Sequence, residues 1–178
     1  HITTQEFKAE GDVIVLVGET LPELGGSELQ YAVLGKTEGR PPQIDLEVEA
    51  RVQGAVLEAI RQGLVASAHD LSEGGLAVAL AESCFGRGLG AVVNVETSLR
   101  ADVALFSESQ SRILLSAKPE KADALVALLA EKGVAHAVLG KVEGSDLVVR
   151  VNGRDGIAAP VAELQKVWKE AIPCLLKN

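Results

Sequence analysis

The residues from Ser67 to Leu76 have the types and spacing needed to hold an anion. The apolar segment before them is typical of a buried strand, and the residues from Leu76 to Glu82 are strong helix formers. The polar residues therefore lie where a strand ends and a helix begins, and the first N–H groups of a helix can bind a phosphate. This stretch predicts a phosphate or nucleotide site with the candidate residues His69, Asp70, Ser72, Gly74 and Gly75.

The same stretch has a second interpretation that needs no ligand. Asp70 is followed three residues later by Glu73, which is the spacing of a helix cap. The two interpretations are compatible, and the sequence leaves both open. A catalytic pair of His69 and Asp70 is disfavoured, because neighbouring residues in a strand point to opposite faces.

A second polar group precedes an apolar strand at Ile113 to Ser116. Its acidic, hydroxyl and amide side chains could all contact one ligand, and one arginine adds the only cation of the segment. A simple polar turn would also explain the pattern. The candidate residues are Glu108, Ser109, Gln110 and Arg112.

A third polar loop runs from Glu19 to Glu28 after an apolar, β-branched strand. Pro22 and the pair Gly25 and Gly26 interrupt it, and glycine pairs at strand ends often mark close approach of the backbone to another group. The loop is either a plain connection or a segment that faces a ligand.

Hydrophobic periodicity predicts the elements that position these loops. Strands are predicted at 12–18, 64–68, 91–95, 113–116, 134–142 and 146–151, and helices at 27–34, 46–62, 76–82, 101–106, 119–132 and from 160 onward. This alternation predicts an α+β fold in which helices cover a mixed sheet.

Three finer expectations follow from local patterns. Glu143 to Ser145 is typical of a hairpin turn joining the strands on either side of it. Residues 1–10 are predicted to be a frayed lead-in, with a single domain over 11–178. The last helix is expected to bury Val161, Leu164, Trp168, Ala171, Ile172 and Leu175.

Composition excludes several classes of function. A formal net charge of −8 argues against a nucleic-acid partner, because such binding depends on Lys and Arg neutralising phosphates. No apolar run approaches the ~20 residues of a membrane span, so no membrane association is expected. Cys84 and Cys174 are too few for a disulfide framework, which favours a cytoplasmic location. The chain contains no Met, so we expect a piece of a longer protein.

Familiar catalytic signatures are absent from the sequence. It contains no phosphate-loop, dinucleotide-binding, zinc-protease or serine-hydrolase motif. His69 and His136 have no further ligand at metal spacing. The sequence therefore predicts no metal site, and it identifies no catalytic residue.

Three strings carry a resemblance to a known family. VGETLPELGGSELQY, ASAHDLSEGGLAVALAE and ALFSESQSRILLS occur in this order. They resemble the G-E-T…E-L-G-G-S-E, H-D-x-S-[DE]-G-G-L and F-x-E-S-Q-x-R motifs in the final domain of the synthase subunit of phosphoribosylformylglycinamidine synthases. The resemblance runs from about Gly11 to the C-terminus.

The resemblance implies a fold and a reaction. The fold is the C-terminal-domain fold of the aminoimidazole ribonucleotide synthetase superfamily, which is partly ferredoxin-like. The reaction converts formylglycinamide ribonucleotide to formylglycinamidine ribonucleotide with ATP and glutamine-derived ammonia. The family holds ATP and Mg²⁺ in other domains, so no cofactor is expected on this fragment alone. The implied partners are the ATP-binding and N-terminal domains of the same subunit and a glutaminase subunit or domain.

The resemblance also bears on the E-S-Q string. In the first-half copy of the family's repeated domain this string binds substrate, whereas in the second copy Glu108 to Gln110 would face an auxiliary nucleotide site. Two alternatives remain: the C-terminal domain of another superfamily member, such as selenophosphate synthetase or thiamine-monophosphate kinase, or a purely structural docking domain. The G-E-T…L-G-G-S-E string argues against the first of them.

Overall fold

A single mixed sheet organises the chain in the computed structural model, which describes residues 2–175, with side chains described as far as Ile172. The strands are β1 (Val13–Val17), β2 (Ser67–Asp70), β3 (Ala91–Val95), β4 (Ile113–Ala117), β5 (His136–Val142), β6 (Asp146–Val151) and β7 (Arg154–Pro160). The helices are α1 (Glu28–Leu34), α2 (Leu46–Arg61), α3 (Gly75–Phe85), α4 (Ala101–Phe106), α5 (Pro119–Glu131) and α6 (Val161–Leu175). This arrangement confirms the predicted mixed sheet with helices.

The strand order brings the three polar loops to one end of the sheet. The order is β2-β4-β1-β5-β3-β6-β7, and only β3 and β6 run parallel among the described strands. Ile113 at the start of β4 is paired with Asp70 at the end of β2 and with Val17 at the end of β1. The loops that follow β1 and β2 therefore meet the loop that precedes β4.

Helices cover both faces of the sheet. Ile14 and Leu16 point into a core shared with α3, whereas Val15 and Val17 point into a core shared with α2 and α5. Strand β1 is thus buried on both faces, as its apolar, β-branched sequence favours. Asp45 is the N-cap of α2, and its carboxylate accepts hydrogen bonds from the N–H groups of residues 47 and 48 at 2.9 and 3.1 Å.

The predicted hairpin between β5 and β6 is wrong. Strand β3 lies between them, antiparallel to β5 and parallel to β6. The residues 143–145 instead close around the start of β3, where the N–H of Glu143 donates to the carbonyl oxygen of Gly90 at 3.0 Å. Strand β3 is apolar and largely buried, so its backbone N–H and C=O groups need partners on both edges. Its place between β5 and β6 supplies them.

Strand β7 was missed by the sequence analysis. It forms a hairpin with β6 across Asn152 and Gly153, which both have positive φ, at 51° and 73°. An Asn-Gly pair is a strong signal for such a turn. The strand itself was hard to recognise, because Arg154, Asp155 and Gly156 give it no apolar alternation.

The expected burial of the last helix is only partly right. Val161 is buried and Leu164 is partly buried, but Trp168 and Ile172 are 56% and 69% exposed, and Ala171 is also exposed. The helix contacts α3 and β7, and its side chains from Lys166 to Ile172 are all exposed. The side chain of Leu175 lies outside the described residues.

The lead-in is ordered rather than frayed. Phe7 is 1% exposed in the core, and its N–H donates to the carbonyl oxygen of Ser83 at 2.8 Å. The carbonyl oxygen of Thr4 accepts from the N–H of Ala68 at 3.2 Å, so the segment lines the edge of β2. The buried ring of Phe7 holds this segment in place. The polar residues around Phe7 gave no sequence signal for this burial. No helix among the described residues has the length and apolar character to cross a bilayer.

Replacing Phe7 with alanine tests the packing of this segment. We expect Phe7→Ala to lower the free energy of unfolding by about 3–5 kcal/mol, because it leaves a cavity in the core. The matched control is Ile2→Ala at a side chain that is 96% exposed, which should change stability by less than about 0.5 kcal/mol. Urea denaturation measures both, and equal small losses would show that the segment does not contribute to the core.

Candidate functional site

Three polar stretches singled out by sequence, the first of them divided in two here, meet at one end of the sheet. They are residues 18–20 after β1, residues 21–28 leading into α1, residues 69–76 between β2 and α3, and residues 106–112 between α4 and β4. We call this junction the loop cluster. The N–H of Leu71 donates to the carbonyl oxygen of Arg112 at 3.0 Å, and the N–H of Glu108 donates to that of Glu23 at 3.3 Å.

The carboxylate of Glu108 joins two helix starts. Its Oε1 atom accepts a hydrogen bond of 2.8 Å from the N–H of Gly74 and another of 2.8 Å from the N–H of Glu28. Gly74 is the N-cap residue of α3, and Glu28 is the first residue of α1. A carboxylate of the chain itself therefore occupies the place at the start of α3 where the sequence predicted an external anion.

The predicted helix cap by Asp70 is wrong. Helix α3 begins at Gly75, its N-cap is Gly74, and no side chain of its own stretch caps it. Asp70 is the exposed last residue of β2. The negative charge that a helix start favours is supplied instead by Glu108. This residue is 34 positions from Gly74 in the sequence, so no local pattern could reveal it.

The glycine pair is required by close packing within the chain. Gly74 and Gly75 have φ of 79° and 60°, which disfavours any residue with a side chain. A Cβ atom on Gly75 would lie 2.4 Å from the carbonyl oxygen of Ser107. Gly75 thus packs closely against the backbone of residues 105–107, and a substitution such as Gly75→Val cannot be neutral here.

Two buried serines tie the loops together. The Ser107 hydroxyl donates to the carbonyl oxygen of Leu21 at 2.7 Å and lies 2.9 Å from the Ser109 hydroxyl. Ser109 is 1% exposed and accepts a hydrogen bond of 3.0 Å from the N–H of Leu21. Ser109 therefore holds the loop after β1 and has no exposed surface for a ligand.

Arg112 is a buried cation that organises its own loop. It is 2% exposed and donates to the carbonyl oxygens of Ser107 and Ser109 and, at 3.1 Å, to the hydroxyl of Thr20. Burial lowers the pKa of Arg112 to about 10, and the nearby carboxylates of Glu23 and Glu108 partly oppose this shift. The guanidinium thus stabilises the loop and is not available at the surface.

Three predicted residues remain accessible. Asp70, Ser72 and Gln110 are exposed on the outside of the loop cluster. The amide of Gln110 donates to the carbonyl oxygen of Glu108 at 3.2 Å, which keeps it beside the carboxylate bridge. These are the candidate residues that a ligand could reach without rearrangement.

His69 is turned away from the loop cluster. Its Nε2 atom lies 3.3 Å from Glu82 Oε2, and its Nδ1 atom lies 3.4 Å from the Ser83 hydroxyl, both on α3. It forms no pair with Asp70, as strand geometry predicted. His136 has a local partner, since its Nδ1 atom lies 2.8 Å from the carbonyl oxygen of Val134.

A large apolar cavity borders the loop cluster. Its volume is about 860 Å³, and it lies between the 22–25 loop, α1 and the 38–43 segment. Arg40 and Arg100 line it but were not among the predicted site residues. Gly25 approaches Arg40 so closely that a Cβ atom would lie 2.2 Å from its carbonyl oxygen. The sequence signal for this cavity was the run of apolar residues in α1. The structure leaves none of the residues of this helix buried.

The described residues contain no cluster of three or more His, Cys, Asp or Glu side chains that could hold a metal ion. Cys84 is fully buried, and burial raises the pKa of its thiol to about 12, so it packs as a small apolar side chain. Cys174 lies outside the residues whose side chains are described.

Comparison with known proteins identifies the family. The family model for the AIR synthase related protein, C-terminal domain, matches residues 9–152. The chain belongs to this family. A subunit named phosphoribosylformylglycinamidine synthase subunit PurL, from Moorella thermoacetica, is 51% identical over 170 residues. The protein of the same name from Caldanaerobacter subterraneus subsp. tengcongensis is 47% identical over 171 residues.

This chain corresponds to only part of the length of those relatives. The alignments cover 96% of the chain but 23% of each of the two relatives, so it spans about a quarter of their length. Thermotoga maritima PurL complexed with FGAR superposes with a TM-score of 0.81 at 25% identity, over 92% of this chain and 29% of that one. Escherichia coli HypE, a hydrogenase maturation protein, superposes with a TM-score of 0.60 at 16% identity, over 87% of this chain and 51% of that one. The HypE likeness shows the fold alone, and together these matches confirm the predicted fold class.

Removing the carboxylate bridge tests the geometry of the loop cluster. We expect Glu108→Ala to lower the free energy of unfolding by about 1–3 kcal/mol, because the N–H groups of Gly74 and Glu28 lose a charged acceptor. Thermal or urea denaturation measures the loss, and Glu108→Gln should lie between the wild type and Glu108→Ala.

Asp70→Ala is the matched control. It should change stability by less than about 0.5 kcal/mol, because Asp70 caps nothing. If Asp70→Ala instead cost about 0.5–2 kcal/mol and Glu108→Ala cost nothing, the helix would be capped as the sequence alone suggested.

Proposed function

We propose that this chain is the C-terminal part of a synthase subunit that converts formylglycinamide ribonucleotide to formylglycinamidine ribonucleotide, an ATP-dependent C–N ligase reaction of purine biosynthesis. The observation that carries this proposal is the 44–51% identity to three proteins named PurL over 96–98% of the chain. Such relatives do not favour a selenophosphate synthetase or a thiamine-monophosphate kinase.

The domain's own contribution would be part of a substrate or nucleotide pocket. Glu108 fills the start of α3, and the exposed carboxylates of Asp70 and Glu73 lie just before that helix start in the chain. A bare phosphate is therefore poorly accommodated unless Glu108 moves. The hydroxyl of Ser72 and the amide of Gln110 suit the ribose or amide groups of a ligand better. Glu108, Ser109, Arg112, Gly74 and Gly75 would position these two residues.

The rest of the reaction would take place on other parts of the longer subunit. Solved structures superposing on this chain with TM-scores of 0.71 and 0.70 are described as Thermotoga maritima PurL complexed with ATP and as PurLQS from the same organism. We infer that ATP, with Mg²⁺, binds in the companion ATP-binding domains. The inferred partners are those domains, the N-terminal domain and a glutaminase, all in the cytoplasm. A formal charge of −8 gives no support to a nucleic-acid partner.

A structural docking role is the second candidate. Ser109 and Arg112 are almost fully buried and bonded within the chain, and Glu108 bridges two of its own helix starts. These residues would then serve only to hold the loops in place. In that case the exposed hydroxyl and amide would contact no ligand.

Recombining the parts of the subunit tests the proposed activity. The chain alone, the remainder of a PurL-type subunit alone, and the two together are assayed for ATP-dependent amidation of formylglycinamide ribonucleotide with ammonium as the nitrogen donor. We expect turnover only from the mixture, because this chain has no phosphate loop and no metal cluster among its described residues. Turnover by the chain alone, or full activity without it, would contradict the proposal.

A double substitution separates a pocket from a docking role. In the full subunit, Ser72→Ala with Gln110→Ala should raise the KM for the ribonucleotide or for ATP by about tenfold, because two hydrogen bonds to ligand are lost. Gln53→Ala on the exposed face of α2 is the control. If both KM values and the unfolding midpoint stay unchanged, the loop cluster is a docking element only.

A further inference from the structure

A small groove lies outside the loop cluster, between the N-terminal segment, the second half of α3, and α6. Its volume is about 190 Å³, and its walls include Glu6, Glu82, Phe85, Gln165 and Trp168. We call it the aromatic groove. One of its lining residues, Glu82, is the partner of His69, the predicted site residue that is turned away from the loop cluster.

Two aromatic rings form one side of the groove. The ring centroids of Phe85 and Trp168 lie 5.7 Å apart with planes tilted by 48°. Trp168 is 56% exposed, so much of its ring remains open to a second partner. The amide of Gln165 donates to the carbonyl oxygen of Phe85 at 2.7 Å, which fixes α6 against the end of α3 at this point.

Two carboxylates also line the groove. Glu6 packs directly on Gly86, where a Cβ atom would lie 2.1 Å from Glu6 Cγ, so the glycine admits the acidic side chain. A hydrogen bond from Thr4, with smaller contributions from the backbone and Lys8, lowers the pKa of Glu6 to about 2. Glu6 is therefore ionised throughout the physiological range. Its Oε2 atom lies 3.3 Å from the Lys8 ammonium.

His69 holds the second carboxylate in place. The Ser83 hydroxyl donates to the carbonyl oxygen of Ala79 at 2.8 Å and lies 3.4 Å from His69 Nδ1. The other ring nitrogen lies 3.3 Å from Glu82 Oε2. Among residues 2–172 the Glu82 carboxylate has no other side-chain partner, so its second oxygen is left for a ligand.

We propose that the aromatic groove binds a guanidinium group. A planar cation can stack on the open face of an indole ring and donate a pair of hydrogen bonds to a carboxylate, and guanidinium does both better than ammonium. The groove is smaller than the roughly 300–1,000 Å³ usual for whole small-molecule ligands, so it suits the head group of an arginine-like molecule. A chain with a net charge of −8 also attracts cations.

The experiment uses Trp168, which is the only tryptophan of the chain, as a fluorescent reporter. The chain is titrated at constant ionic strength with N-acetyl-arginine amide and with the matching citrulline compound, which has the same shape without the charge. We expect a saturable change with the arginine compound only, with a Kd on the order of 1 mM. An equal response to both compounds would overturn the proposal.

Substitutions locate the binding. Glu82→Gln should weaken it at least tenfold, whereas Glu163→Gln, an exposed acidic residue of α6 outside the groove, should leave it unchanged. His69→Gln should weaken binding less than Glu82→Gln, since His69 acts only by positioning Glu82. Unchanged affinity in a folded Glu82→Gln variant would contradict the proposal.

A second variant keeps the test valid if Glu82→Gln does not fold. Trp168→Leu changes a largely exposed ring, and calorimetry should show binding weakened at least fivefold; equal affinity would also overturn the proposal. The source of the guanidinium is distinguished by comparing agmatine with the peptide Gly-Arg-Gly. Tighter binding of the peptide assigns the groove to an arginine of a partner polypeptide, and equal or tighter binding of agmatine assigns it to a free small molecule.

Discussion

The hydrogen bonds from the N–H groups of Gly74 and Glu28 to one carboxylate oxygen of Glu108 hold the loop cluster together. They join the start of α3, the start of α1 and the loop before β4, which come from distant parts of the chain. A helix start favours negative charge, and a carboxylate that accepts backbone N–H bonds is a strong partner. The buried Arg112 balances this charge and fixes the carbonyl groups of the same loop.

Close packing of the loops around this internal anion explains why the loop cluster needs its glycines. Gly18 lies so close to the 107–112 loop that a Cβ atom would be 2.1 Å from the carbonyl oxygen of Ser111, and Gly75 meets Ser107 in the same way. A motif rich in glycine and polar residues would also fit a loop that binds phosphate. Here the same features serve the packing of one loop against another, and of the predicted site residues only Ser72, Gln110 and Asp70 are exposed.

Periodicity and capping signals predicted most of the fold because they act over short distances. The buried strand β1, the Asp45 cap and the Pro119 helix start all follow from residues within one turn or one strand. Sequence reasoning failed where a distant segment decided the outcome. Glu108 replaced Asp70 as the anion at α3, β3 separated β5 from β6, and Phe7 anchored a polar lead-in. None of these contacts has a local signature.

The anion rescue of Glu108→Ala tests this account most directly. The variant leaves the N–H groups of Gly74 and Glu28 facing an opening the size of a carboxylate, so formate should bind there and restore stability. Melting temperature is measured against sodium formate, with sodium chloride at equal ionic strength as the reference. The account predicts that formate raises the melting temperature of Glu108→Ala but leaves the wild type and Asp70→Ala at their values in chloride. Equal effects of formate on all three proteins would show that Glu108 does not fill an anion site.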